Sequence, residues 1–226
     1  MIPHRNLLLA FCVLATPLTT SLAHHDGDHD PEAALLDAVR DGDKDTVATL
    51  LDQQKVPADT ATAGGEHDGK TALMWAAEAG DTGLIALLID AGADVSERNA
   101  KGGTALMFAA VKGRTESVRL LVDAGADPDH TVRHGWNPVL LAAAKGHTET
   151  VTALVESGAN HDPEDVYGWT PLMRAVERGD REMVRTLLDL GANAEAEDNA
   201  GNSVAEIARR NGMDDMEDLL RDAKRG

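Results

Sequence analysis

Residues 69–94 read GKTALMWAAEAGDTGLIALLIDAGAD, and three glycines in that stretch set the fold. Gly69 recurs every 33 residues as Gly102, Gly135, Gly168 and Gly201. Gly80 recurs as Gly113, Gly146, Gly179 and Gly212, and Gly92 as Gly125, Gly158 and Gly191. Three glycine series in one register mark a repeat protein. Each unit reads alike. Two residues after its first glycine stands a helix N-cap former, Thr71, Thr104, Asn137, Thr170 or Ser203, followed twice by proline at the first helical position, Pro138 and Pro171. A short apolar helix runs to the second glycine, where a left-handed residue ends it. A second helix then carries one apolar stripe: Ile85, Leu88, Ile89; Val118, Leu121, Val122; Val151, Leu154, Val155; Val184, Leu187, Leu188. Gly-Ala-Asp or Gly-Ala-Asn closes it and opens an extended turn.

These residues resemble the ankyrin repeat. Its Thr-Pro-Leu helix opening stands here as Thr170-Pro171-Leu172 and, altered, as Thr71-Ala72-Leu73, Thr104-Ala105-Leu106 and Asn137-Pro138-Val139. The family's usual histidine after that leucine is replaced by Met74, Met107, Leu140 and Met173. The resemblance implies an all-α solenoid of about six stacked helix-turn-helix units with extended turn tips and a concave binding groove. In register, the chain divides into an N-terminal capping repeat with a loop insertion (32–67), four repeats (68–100, 101–133, 134–166, 167–199) and a C-terminal capping repeat (200–226).

The front of the chain reads as an address. His4 and Arg5 precede the apolar run 7–15, too short to span a ~30 Å hydrocarbon core, and Ser21-Leu22-Ala23 fits a peptidase site, so cleavage is expected after Ala23. The sole cysteine, Cys12, leaves with it, which removes disulfides and thiolate chemistry from the exported protein. The expected destination is outside the inner membrane, the periplasm in a Gram-negative cell. A His/Asp-rich linker (24–31) follows.

Composition narrows the partners. A formal charge of −18 argues against nucleic acid and anionic lipid, both of which need basic patches. Acid concentrates at one end: residues 24–68 hold twelve carboxylates against Arg40, Lys44 and Lys55. The resemblance implies another protein as the partner; a monomer is expected, and no cofactor is called for.

Several motifs suggest chemistry and give way to the repeat. Gly64 to Thr71 matches a phosphate-loop spacing, but Glu66 and Asp68 would repel phosphate, no strand precedes it, and Gly69-Lys70-Thr71 already has its place in the register. Asp41, Asp43, Asp45 and Asp52 mimic a calcium loop, yet Thr46 stands where glycine would turn it, and Asp43 falls at a helix cap. His24, His25 and His29 are weak metal-ligand candidates, and divalent-metal handling through this head is the alternative function. No nucleophile elbow or His-Glu-x-x-His helix occurs, so no catalytic residue is assigned.

Binding is expected at the turn tips and inner-helix ends of the third to fifth units. The candidates are Lys101, Lys112, Arg133, His134, Trp136, Lys145, Tyr167, Trp169 and Arg178. Aromatic and arginine residues at exposed positions are typical anchors. Trp136 and Trp169 share one slot in adjacent units and should stand roughly 10 Å apart. His67, Asp68 and Lys70 are read as tip residues too, whereas Trp75 and Phe108, inside the first helices, are read as core.

Overall fold

The computed structural model describes residues 30–223; the leader 1–23 and the candidate ligands His24, His25 and His29 lie outside them. Among the described residues, twelve α-helices form six pairs: α1 Pro31–Asp41 with α2 Lys44–Asp52, α3 Ala72–Ala79 with α4 Thr82–Asp90, α5 Ala105–Val111 with α6 Thr115–Asp123, α7 Pro138–Lys145 with α8 Thr148–Glu156, α9 Pro171–Arg178 with α10 Arg181–Asp189, and α11 Val204–Arg210 with α12 Asp214–Ala223. Among the described residues β structure is limited to two isolated bridges, Ala61 with Thr71 and Glu197 with Ser203. No described helix is long and apolar enough to cross a membrane. The fold is an all-α repeat solenoid.

Two rows of helices make the stack. The inner row runs α1, α3, α5, α7, α9, α11, and the outer row α2, α4, α6, α8, α10, α12, each helix packing on the next of its row. One alanine recurs in register along the inner row: Ala76, Ala109, Ala142, Ala175 and Ala208, all with no exposed surface. A single methyl lets neighbouring backbones approach closely at that level. The outer helices contribute the stripe read from the sequence; Ile85, Leu88, Val118, Leu121, Val151, Leu154, Val184 and Leu187 are fully buried.

Helix ends follow the expected chemistry with informative exceptions. Thr71, Asn137 and Thr170 accept from the backbone N–H of Met74, Leu140 and Met173 at 3.2, 2.9 and 3.3 Å. Ser203 and Glu206 form a reciprocal capping box. Thr104 has the cap backbone but makes no cap bond with its side chain. On the outer row, Asp43, Asp81 and Asp180 cap α2, α4 and α10. The equivalent positions of α6 and α8 hold Arg114 and His147, whose side chains turn the other way. Arg114 Nε donates to Glu78 O at 3.2 Å and His147 Nε2 lies 3.0 Å from Val111 O. Both give up a local cap and instead satisfy a carbonyl at the end of the preceding inner helix.

Three of the first glycines, Gly69, Gly135 and Gly168, have a second reason to be glycine. A Cβ on Gly69 would lie 3.0 Å from Ala100 N, and one on Gly168 2.9 Å from Asn199 N. The next turn passes there, and it is tied across by bonds from Ala100 N to Asp68 O (3.1 Å), Val166 N to His134 O (3.0 Å) and Asn199 N to Tyr167 O (2.9 Å). The inserted loop of the first unit ends in a short 3-10 turn, Gly65–His67.

Candidate functional site

Two columns of side chains run along the inner side of the stack, one residue per unit. The tip column, directly after the first glycine, reads Lys70, Gly103, Trp136, Trp169, Asn202; the helix column reads Trp75, Phe108, Leu141, Arg174, Ile207. The structure brings the two columns together.

At the N-terminal end the cation belongs to the tip column and the aromatics to the helices. Lys70 is 1% exposed. Its Nζ lies 3.5 Å from the centroid of Trp75 and 4.4 Å from that of Phe108, and it pairs with the Glu78 carboxylate. Lys112 reaches the other oxygen of Glu78 at 3.2 Å. Lys70 is thus an interior residue rather than a tip, and its ammonium is committed inside the stack. Trp75 and Phe108 are half-buried, packed on the core without belonging to its closed interior. Their stacking on an ammonium is favourable for a desolvated cation.

At the C-terminal end the roles are exchanged. Arg174, from the helix column, places its guanidinium carbon 4.4 Å from the Trp169 centroid and 5.1 Å from that of Trp136. Its Nη2 donates to Asp165 Oδ2 at 2.7 Å. Asp165, its side chain 1% exposed, also accepts from the N–H groups of Tyr167 (2.8 Å) and Trp169 (3.0 Å). Trp136 and Trp169 are therefore half-buried rings sharing one guanidinium, not free-standing tips. Sequence reading overlooked Arg174 and Asp165; the signal was a charged residue in a column that otherwise holds Trp, Phe, Leu and Ile.

The remaining candidates lie on the surface. Lys101, Lys112, Arg133, His134, Lys145, Tyr167 and Arg178 are exposed. Val166 and Tyr167, 54% and 61% exposed, are the large apolar side chains that the described surface leaves open. Arg133–Gly135 forms a 3-10 turn with His134 left-handed at φ 67°, and His134 O accepts from Val166 N, so these two tips adjoin. Arg178 Nη1 donates to Ala144 O at 3.2 Å. Between the second and fourth units the inner side also holds a cavity of about 300 Å³, floored by Met107, Phe108, Val111, Val132 and Leu141 with Lys101 and Lys112 among its walls.

Burial pushes the Glu78 carboxyl upward, but hydrogen bonds from Lys70 and Lys112 outweigh it and hold the group below the usual glutamate range. Asp81 is likewise held low: burial raises it, and the bonds from Lys44 and the Leu84 N–H prevail. A carboxyl depressed by folding contributes stability above its unfolded value and loses it as pH falls through the folded value. Thermal melts are therefore expected to weaken once pH drops below about 4, where free carboxyls begin to protonate. Charge-preserving changes in salt alone should not reproduce that fall, and Glu78→Gln should reduce its size.

The spacing that set up these columns also identifies the chain's relatives. A family model for ankyrin repeats in three copies matches residues 35–132 and 129–198. No curated protein matches the sequence. The match spans most of the chain, and the chain belongs to the ankyrin-repeat family.

Proposed function

We propose that this protein is an exported, non-enzymatic module that binds another protein through the inner-helix ends and turn tips of its third to fifth units. Ankyrin repeats are generally protein-protein interaction modules. The observation that carries the reading for this chain is the character of one side of the stack. Lys101, Lys112, Arg133, His134, Lys145, Tyr167 and Arg178 are exposed there beside the half-buried Trp136 and Trp169, on a chain of formal charge −18. Cationic and aromatic groups gathered on one side of an acidic protein favour a partner that meets that side. A protective or inhibitory partner of a secreted protein fits an exported module of this kind, with export itself resting on residues 1–23.

Replacing Tyr167 by Ala and Arg133 by Glu tests the assignment cleanly, because both side chains are exposed. Capture of the partner from the source compartment should weaken at least about tenfold, a hot-spot-sized loss, while helical circular dichroism stays the same. Undiminished capture would refute the assignment. The two tryptophans are poorer probes, since removing either also disturbs Arg174.

A further inference from the structure

The two columns interlock by one rule. A tip side chain lies between the helix-column residue of its own unit and that of the next, as Lys70 lies on Trp75 and Phe108. Arg174 obeys the same rule from the other side, meeting Trp169 of its own unit and Trp136 of the unit before. The rule places the side chain of position 103 between Phe108 and Leu141. Position 103 is glycine, and between those residues is the cavity of about 300 Å³. A Cβ built on Gly103 would lie 3.3 Å from the Asn99 side-chain oxygen, which must give by a few tenths of an ångström, and 3.6 Å from Phe108 Cε2, at the cavity's edge.

The backbone does not demand glycine there. Gly103 is absent from the left-handed residues, unlike Gly102 at φ 83°. Its N–H donates to Asn99 Oδ1 at 2.8 Å, as Trp169 donates to Asp165 Oδ1 (3.0 Å) and Asn202 to Asp198 Oδ1 (2.9 Å). The turn that carries a tryptophan two units later therefore has the same bond at Gly103. The cavity is the place of a missing side chain.

Charge decides what suits its mouth. Lys101 and Lys112 wall it, and the one carboxylate among the lining residues, Glu78, is already shared by Lys112 and the buried Lys70. A cationic anchor such as the one Lys70 supplies next door would meet like charge. At physiological salt, fields beyond about 8 Å are screened, so these nearby lysines outweigh the acidic remainder of the chain. We infer that the partner inserts one aromatic side chain, flanked by carboxylates, into the gap at Gly103, completing the column from outside. This rests on the reading of this side as the partner-binding surface and names the anchor it takes.

The test uses the full chain with labelled methyl groups and three peptides: Asp-Glu-Trp-Glu-Asp, its Ala-centred form, and Lys-Lys-Trp-Lys-Lys. The acidic Trp peptide should shift the methyl resonances of Val111, Val132 and Leu141, and bind about tenfold or more tightly than either control. Gly103→Trp fills the gap from within and should abolish those shifts with helical content and melting unchanged. Lys101→Glu, at an exposed site, should weaken the acidic Trp peptide several-fold and leave the Lys-flanked Trp peptide no weaker. Equal binding to Gly103→Trp and to the unmodified chain overturns the inference, as does the absence of methyl shifts at millimolar acidic peptide. Partner capture that survives Gly103→Trp but falls with Tyr167→Ala and Arg133→Glu keeps the binding surface and rejects this anchor.

Discussion

Asp165→Ala is expected to destabilise the C-terminal half of the stack by about 3–5 kcal/mol, the cost of breaking a buried charge pair from one side. The carboxylate accepts three hydrogen bonds at once, from the N–H groups of Tyr167 and Trp169 and from the Arg174 guanidinium. Removing it leaves two turn amides without their acceptor and a cation held between two indoles without its anion. Arg174→Leu should cost less, since Asp165 keeps its two amide hydrogen bonds, although its buried carboxylate then lacks a cation. Because each unit leans only on its neighbours, the loss should appear as an early step confined to the last units. Denaturant unfolding followed by tryptophan fluorescence and by circular dichroism would separate the two, and coincident unchanged curves would refute the role given to Asp165.

The second large effect belongs to Glu78. Glu78→Ala strands the Lys70 ammonium, whose side chain is 2% exposed, and should cost about 2–4 kcal/mol; the partial exposure of Glu78 keeps it below the full buried-pair value. Lys70→Met should be close to neutral, because a thioether chain fits between Trp75 and Phe108 and Glu78 retains Lys112. Equal losses from both variants would show that ordinary packing, not the charge, decides stability there.

How the sequence led to this arrangement differs between fold and site. Spacing alone pointed to the helical repeat solenoid, because Gly69, Gly80 and Gly92 and their repeats answer to a backbone need that the units share. The caps at Thr71, Asn137, Thr170 and Ser203 were legible for the same reason. The site was not, because equal register does not mean equal role. Lys70 shares its slot with Trp136 and Trp169, so it read as a tip, yet a cation there is drawn inward by the rings of Trp75 and Phe108. Trp75 and Phe108 read as core because they sit on apolar helices; pairing with a neighbouring unit's cation leaves them half open. Arg174 and Asp165 escaped notice because neither stands in the tip column, although only nine residues separate them along the chain and their contact of 2.7 Å joins a turn to the helix that follows it. Gly103 was visible as a letter and invisible as a gap until Phe108 and Leu141 were seen on either side of it.

Hydrogen exchange of the full chain with and without its captured partner measures the central claim most directly. Slowed amides should cluster on the ends of α5, α7 and α9 and on the tips around Gly103, Arg133–Trp136 and Val166–Trp169, leaving α4, α6, α8 and α10 unchanged. Protection confined to those outer helices, or to residues 31–52 of the first pair, would contradict it.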